Sequence, residues 1–102
     1  MRPWGSATTI LENTNYRIRM LEIQPGKSLS FQSHQQRSER CVVLEEKADI
    51  QRGDEKVILQ KNESAFIPKG MHHQLGNSGN TTLQIIEVQQ GEYLGDDDIE
   101  RY

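Results

Sequence analysis

The chain has 102 residues, of which 33% are hydrophobic and 26% are charged, and its formal net charge is −3. This length suffices for one domain with one core. The mild acidity and the lack of a basic stripe argue against nucleic acid as a partner, and no apolar run approaches the ~20 residues that span a bilayer. Cys41 is the only cysteine, so no disulfide can form within the chain and a reducing cytoplasm is the expected compartment. Cys41 itself is predicted to be a small core residue.

The apolar residues recur mostly with period two, which is typical of strands. Residues 1–15 are mixed in character. A strand is predicted at 16–24, where Tyr16, Ile18 and Met20 alternate with arginines before the phase shifts to Leu21 and Ile23, which indicates a bulge or a local bend. Pro25-Gly26 then predicts a turn.

Further strands are predicted at 29–36, 41–50, 57–60, 65–67, 72–75 and 81–89. Residues 37–40 are expected to be a polar connection, and Arg52-Gly53-Asp54 to be a hairpin turn. The acidic tail at 96–102 favours a helical turn. Seven or more short strands at roughly ten-residue spacing predict an all-β sandwich or barrel.

Two polar segments dominate the middle of the chain. On an extended strand Ser30, Gln32, His34 and Gln36 share one face, with Glu39 nearby. About thirty residues later comes the run 67–73, which ends in a pair of histidines. Buried polar groups without partners cost about 1–3 kcal/mol each, so a polar inner face requires either a metal ion or a water-filled sugar pocket.

The order of these motifs resembles that of the cupins. The matching residues are Pro25-Gly26, His34-x-Gln36-x-x-Glu39, Pro68-x-Gly70-x-x-His73 and Asn77. The segments 2–6, 29–39, 52–55, 67–73 and 86–99 are more specifically similar to the C-terminal domain of type II mannose-6-phosphate isomerases, which are bifunctional enzymes with a mannose-1-phosphate guanylyltransferase domain upstream. The resemblance implies a single cupin domain over 1–102, a jelly-roll (double-stranded β-helix) barrel in free-standing form.

The resemblance also implies a function, namely metal-dependent interconversion of mannose 6-phosphate and fructose 6-phosphate. The chain departs from the family pattern at four positions. Gln36 stands in place of a second histidine, Arg40-Cys41 in place of His-Trp, and Glu46 in place of a glycine. The alternative is therefore a non-catalytic or weakly catalytic cupin that binds a sugar or sugar phosphate. A third possibility is a dimerisation scaffold.

The metal ligands implied by this pattern are His34, Gln36, Glu39 and His73. Two imidazoles, an amide oxygen and a carboxylate suit a divalent ion such as Zn, Mn, Fe, Co or Ni. The spacing after Pro68-x-Gly70 selects His73 as the ligand and leaves the neighbouring His72 at the rim. The alternative is that these side chains are polar lining residues bonded to each other and to water.

The remaining candidates concern the substrate. Arg37 is predicted to bind phosphate or to stabilise an enediolate, or else to be a surface arginine paired with Glu39 or Glu55. Lys69 could act as an acid or base if it is buried, or else be an exposed turn residue. Arg101 matches the family's tail arginine and is predicted to bind substrate. A homodimer is expected, with residues 1–24 at the interface.

Overall fold

The computed structural model describes residues 2–95 and 97–102 and contains only strands and turns in these ranges. The ten strands are β1 (Gly5–Glu12), β2 (Tyr16–Ile23), β3 (Gln32–Ser33), β4 (Arg37–Glu45), β5 (Ala48–Arg52), β6 (Glu55–Leu59), β7 (Ser64–Ile67), β8 (His73–Gly76), β9 (Leu83–Gly91) and β10 (Glu100–Arg101). They form two five-stranded antiparallel sheets, ordered β1-β2-β9-β4-β7 and β10-β3-β8-β5-β6. The predicted all-β jelly-roll fold is confirmed. A membrane-spanning helix is absent from the described residues.

The core lies between the sheets and consists of the inward residues of the central strands. Its fully or almost fully buried members are Leu21, Ile23, Cys41, Val43, Ala48, Ile50, Leu59, Ala65, Ile67, Leu75, Leu83 and Ile85. Most of them alternate along their strands, as period-two patterning requires. The prediction that Cys41 is a core residue is confirmed, and burial raises the pKa of its thiol well above the usual value.

The inner faces of β2, β4 and β9 are each divided into an apolar half and a polar half. On β9 the inward residues are Leu83 and Ile85, followed by Glu87 and Gln89. The antiparallel register pairs these two polar residues with Arg19 and Arg17 of β2 on one side, and pairs Gln89 with Glu39 of β4 on the other. One end of the space between the sheets is therefore lined by polar and charged groups, and the other end is the apolar core.

This division explains why the predicted bulge in β2 is wrong. The pairing of β2 with β9 runs without interruption from Tyr16 to Ile23. Arg17 and Arg19 occupy the same inward face as Leu21 and Ile23, so the phase does not change. The alternation in the sequence misleads because charged residues usually lie on an outer face, whereas these two arginines face inward. The irregularity in this hairpin lies in β1 instead, between Thr9 and Leu11.

The predicted strand 29–36 is also wrong in extent, because only Gln32–Ser33 form β3. The chain bends after His34, where the Asp98 carboxylate accepts hydrogen bonds from the backbone N–H groups of Gln35 and Gln36. Alternation therefore stops, and Gln36 is exposed rather than on the face of His34. The expected polar connection at 37–40 is the start of β4, with Arg37 and Glu39 buried.

Three other boundaries differ from the sequence prediction. Residues 5–12, for which the sequence predicts no strand, form edge strand β1; its side chains are half-buried or exposed, so they show no clear alternation. The predicted strand 41–50 is divided by a turn at Glu46, which has a positive φ of 66°. In the tail, residues 97–98 form a turn and β10 follows, so no helical turn exists there in the described residues; Asp96 lies outside them. The hairpin turn at Gly53 is confirmed, with a φ of 59°.

Candidate metal centre

Three buried side chains of metal-ligand type converge at the polar end of the sandwich. They are His34, which follows β3, Glu39 on β4 and His73 at the start of β8, and each is at most 5% exposed. One candidate ligand atom from each lies within 4.8 Å of the others. Glu39 Oε1 is 3.1 Å from His73 Nε2, and Glu39 Oε2 is 3.9 Å from His34 Nε2. The two separate sequence segments therefore meet at one point, with both sheets contributing.

The hydrogen bonds around the two imidazoles fix which nitrogen faces this point. His34 Nδ1 lies 2.6 Å from the backbone carbonyl of Asp98, and His73 Nδ1 lies 3.2 Å from that of Met71. A carbonyl oxygen can only accept, so each Nδ1 carries a proton. Nε2 of both rings is thus directed toward Glu39. Outer hydrogen bonds of this kind orient histidines that bind metals.

Protonation in the absence of metal follows from the same contacts. Burial of Glu39 by itself raises its pKa, but the hydrogen bond from His73 and the nearby positive charges outweigh this and lower the pKa to about 2. Burial lowers the pKa of His73, yet the contact with Glu39 gives a net rise. Burial lowers the pKa of His34. Without metal, the cluster is therefore an ion pair between Glu39 and His73 beside a neutral His34.

Arg37, which the sequence analysis predicts to contact the substrate, contacts both Glu39 and His34 of this cluster. Its Nε donates to Glu39 Oε2 at 3.2 Å, and its Nη2 lies 3.1 Å from His34 Nε2. Since arginine has no acceptor, His34 Nε2 is the acceptor. The third nitrogen, Nη1, is buried and has no hydrogen-bond partner among the described residues. Arg37 is 5% exposed, so the alternative of a surface arginine is wrong, although its pairing with Glu39 is present.

A second layer of polar residues supports the cluster from β2 and β9. Gln89 Nε2 donates to Glu39 Oε2 at 3.2 Å and to Glu87 Oε1 at 2.8 Å. Glu87 also pairs with Arg19 at 2.7 Å. Burial, with a further contribution from Glu39, raises the pKa of Glu87 despite this arginine. The sequence analysis missed these residues, although period two continued from Leu83 through Gln89 would have placed Glu87 and Gln89 on the inner face.

Of the other predicted site residues, one lies at the site and two lie on the exposed surface. Arg101 lines a cavity beside the cluster, whereas Lys69 is exposed in the turn before β8 and Gln36 is exposed in the bend before β4. His72 is exposed as expected and stacks on Tyr102, with ring centroids 4.2 Å apart. The metal role of Gln36 and the acid–base role of Lys69 stay predictions.

Gln32 is a further amide that the sequence placed on the correct face but did not name as a ligand. It lines the small cavity at the cluster, of about 20 Å³, together with His34, Glu39 and His73. Its backbone is also the direct register partner of His73 across β3 and β8. Gln32 is thus an amide at the cluster cavity, whereas Gln36 is exposed; the Nε2 of Gln32 donates to the backbone carbonyl of Ser30 at 3.4 Å.

The small cavity continues into a larger one of about 140 Å³. Both are lined by Arg19, Leu29, Gln32, His34 and Arg37, and the larger one is completed by Arg2, Trp4, Ser30, Ile99 and Arg101. A more voluminous cavity of about 640 Å³ lies among β5, β6, β8 and residues 26–28. It contains none of the converging ionisable groups, so the chemistry belongs to the smaller cavities.

Comparison with known proteins agrees with this architecture. The chain is 43% identical over 101 residues to a mannose-1-phosphate guanylyltransferase of Sinorhizobium fredii, covering 99% of this chain and 20% of that protein. It is 42% identical over 101 residues to the xanthan biosynthesis protein XanB of Xanthomonas campestris pv. campestris, covering 99% of this chain and 22% of that protein. The chain thus spans about a fifth of the length of these curated relatives.

Solved structures show the same fold at low sequence identity. A Klebsiella pneumoniae protein described as having a double-stranded β-helix domain superposes with a TM-score of 0.85 at 17% identity, covering 99% of this chain and 86% of that one. The two-sheet sandwich is therefore the cupin fold. The sequence profile of the family described as "Mannose-6-phosphate isomerase C-terminal" matches residues 1–102. The chain belongs to the family of mannose-6-phosphate isomerase C-terminal domains.

Proposed function

We propose that this domain is a metal-dependent isomerase that interconverts mannose 6-phosphate and fructose 6-phosphate. The observation that supports this most strongly is the convergence of His34, Glu39 and His73, buried, with both Nε2 atoms directed toward one carboxylate. A polar cavity leads from this cluster to further arginines. Family membership supplies the reaction class.

The donor set fits a divalent ion of the Zn, Mn, Fe, Co or Ni group. Two imidazole nitrogens, one carboxylate and one amide oxygen make a mixed N/O site with a single compensating charge. The imidazole protons on Nδ1 already have acceptors, as metal-bound histidines require. Gln32, which lines the cavity, is favoured over the exposed Gln36 as the amide. When bound, such an ion polarises the sugar carbonyl as a Lewis acid.

The protein side of the reaction has two further requirements. An enediolate carries negative charge, and Arg37 offers for that charge its buried Nη1, which has no hydrogen-bond partner within 2–95 and 97–102. A proton must also move between adjacent carbons, which needs an acid–base group. The sequence analysis offers Lys69 for this role only if it is buried, and Lys69 is exposed. Glu87 is the alternative because it lines the cavity and its pKa is raised by burial.

The direct test is to incubate the metal-reconstituted protein with mannose 6-phosphate and to quantify fructose 6-phosphate. EDTA-treated protein and the variant Glu39→Gln serve as controls. We expect product that depends on metal and on Glu39. If the reconstituted protein forms no more product than the chelated control, the isomerase proposal fails.

A second candidate is a binding module without efficient chemistry. The observation in its favour is that Arg37 Nη2 occupies the Nε2 lone pair of His34, so a metal can bind there only if Arg37 moves. A thermal-shift panel of sugars and sugar phosphates tests this function. Stabilisation by a sugar phosphate without any turnover would support it, and no stabilisation by any ligand would contradict it.

We also propose that the chain forms a homodimer in the cytoplasm. Edge strand β1 carries two exposed apolar side chains, Ile10 at 57% and Leu11 at 48%, and pairing such an edge protects it from water and from other chains. The lone buried Cys41 is compatible with a reducing compartment. Light scattering at tens of micromolar tests the dimer, and a monomeric mass would contradict it.

A further inference from the structure

A row of polar side chains crosses the first sheet and ends at the metal cluster. Glu12 on β1 lies opposite Arg17 on β2. Arg17 in turn lies opposite Gln89 on β9, and Gln89 lies opposite Glu39 on β4. Residues opposite each other in antiparallel strands lie on the same face of the sheet. This polar row therefore joins an exposed edge strand to the buried carboxylate that faces both histidines of the cluster.

Each contact in the polar row joins a definite donor to a definite acceptor. Arg17 Nε donates to Gln89 Oε1 at 2.8 Å, and Arg17 Nη1 lies 3.5 Å from Glu12 Oε2. Gln89 Nε2 donates to Glu39 Oε2 at 3.2 Å and to Glu87 Oε1 at 2.8 Å. An amide nitrogen carries two hydrogens, so both are used. Gln89 itself is 0% exposed.

These partners determine which way the Gln89 amide points. An arginine can only donate, and an ionised carboxylate can only accept. If the amide were turned over, its NH2 group would face the Arg17 guanidinium and its oxygen would face the Glu39 carboxylate. Both contacts would then be repulsive. Arg17 therefore fixes the orientation in which the Gln89 NH2 group is directed toward Glu39.

The Gln89 amide in turn holds one oxygen of Glu39. Glu39 Oε2 accepts hydrogen bonds from Gln89 Nε2 and from Arg37 Nε, both at 3.2 Å. The other oxygen, Oε1, lies 3.1 Å from His73 Nε2. Because two donors hold Oε2, rotation of the carboxylate is restricted and Oε1 stays beside the histidine. Loss of an outer hydrogen bond to a metal-binding side chain typically weakens metal affinity by about 10–100-fold.

We infer that Gln89 is a positioning residue for metal binding, which holds Glu39 so that Oε1 is the oxygen presented beside His73, and that Arg17 fixes the Gln89 amide in the required orientation. This inference rests on the proposed metal-dependent function. Neither Arg17 nor Gln89 lines the cavity at the cluster, so both act through Glu39.

The effect of Arg17 on metal binding has a sign that distinguishes positioning from simple electrostatics. A positive charge near a cation site repels the cation, so removing Arg17 should strengthen the binding of a divalent ion if only its charge matters. If Arg17 acts by orienting Gln89, its removal should weaken that binding. The two explanations therefore predict opposite results for the same substitution.

The test compares Arg17→Met, Gln89→Leu and the variant that carries both changes. The matched controls are Gln90→Leu, which changes the exposed neighbour on the same strand, and Arg40→Met, which removes an exposed arginine that lies over Phe66. EDTA-treated protein is titrated with Co(II), and the affinity and the d–d absorption band of the bound ion are recorded. The band reports the ligand geometry, which a loss of stability alone would not change.

We expect Arg17→Met and Gln89→Leu each to weaken cobalt binding at least tenfold and to change the absorption band. The variant with both changes should bind no more weakly than Gln89→Leu, because Arg17 acts through Gln89. Both controls should resemble the wild type. Cobalt binding that is unchanged in Gln89→Leu, or tighter in Arg17→Met, would overturn the inference.

A second measurement needs no metal and is made on the folded wild type. Both side-chain hydrogens of Gln89 are bonded and buried, so NMR should show that they exchange with solvent at least tenfold more slowly than those of the exposed Gln90. Arg17→Lys keeps the charge but loses the Nε donor, and it should remove this protection. Equal exchange rates for Gln89 and Gln90 in the wild type would overturn the inference even if a variant failed to fold.

These outcomes separate the role of Gln89 from the proposed isomerase. Cobalt binding that depends on Gln89 in a protein without isomerase activity would support the positioning role and contradict the isomerase. Turnover by Gln89→Leu with the metal affinity of the wild type would support the isomerase and overturn the positioning role. A wild type that binds no cobalt would contradict both.

Discussion

Replacing Glu39 by glutamine should destabilise the metal-free protein strongly, whereas the same replacement of Glu87 should not. Both carboxylates are buried at the polar end of the sandwich, at 3% exposure each. The pKa of Glu39 is lowered and that of Glu87 is raised, so folding favours the charged form of one and the neutral form of the other. The two variants therefore make the same chemical change at equally buried sites, but the pKa of the replaced carboxyl is shifted in opposite directions.

The magnitude follows from the pKa of Glu39. The drop from 4.5 to about 2 corresponds to about 3 kcal/mol of unfolding free energy at pH 7. This value agrees with the cost of removing one partner of a buried ion pair, which is about 3–5 kcal/mol. Because the folded pKa is below the unfolded one, this contribution is present above pH 4.5 and is lost as the pH falls toward 2. For Glu87, whose pKa is raised, charging opposes folding as the pH rises, so Glu87→Gln should cost less than about half as much.

The assay is urea unfolding of EDTA-treated wild type and both variants between pH 7 and pH 3. We expect Glu39→Gln to lose about 3 kcal/mol at pH 7 and the gap to narrow steadily below pH 4.5. A loss of under about 1 kcal/mol at pH 7, or a gap that is independent of pH, would refute the assignment of a buried Glu39–His73 ion pair. A larger loss in Glu87→Gln than in Glu39→Gln would refute it as well.

Three further predictions concern the ligands and the frame of the site. Gln32→Ala should weaken Co(II) or Zn(II) binding at least tenfold in a metal titration while Gln36→Ala leaves it unchanged, and the reverse would restore Gln36 as the ligand. Asn77→Ala removes three side-chain hydrogen bonds, so at about 1 kcal/mol each it should lower the unfolding free energy by about 3 kcal/mol in a urea titration; equal stability of Asn77→Ala and the exposed Asn80→Ala would contradict this. Gly91→Ala should lower stability by more than about 2 kcal/mol and weaken metal binding, because its Cβ would overlap the Gln36 carbonyl oxygen, and a thermal melt equal to wild type would argue against the close approach of β9 to the bend.

Most strands were predictable because one face of each is buried in an apolar core. Period two located β6, β7, β8 and β9 to within a few residues, and the Pro68 and Gly70 turn placed His73 correctly at the start of β8. The prediction was wrong where the inner face is polar. Arg17 and Arg19 lie on the inner face of β2, and hydropathy alone cannot distinguish a charged residue facing a site from one facing water.

The cluster itself was only partly predictable for a related reason. His34 and Glu39 lie on either side of a bend, and that bend depends on Asp98, about sixty residues further along the chain. A local pattern contains no information about such a contact, so alternation was extended through the bend to Gln36. Tertiary hydrogen bonds, rather than strand geometry, decide which amide can approach the histidines.

The positions at which the chain departs from its family therefore bear less on the chemistry than their number suggests. Gln36 is exposed in the bend, and Arg40 is exposed over Phe66. Glu46 lies in the turn after β4, at the end away from the cluster, where its carboxylate accepts hydrogen bonds from Thr81. Cys41 is inside, but as a core residue whose raised pKa keeps it a thiol. None of these side chains lines the cavity at the cluster. Isomerase activity should therefore depend less on these substitutions than on whether the Arg37 guanidinium can leave His34 Nε2 when a metal binds.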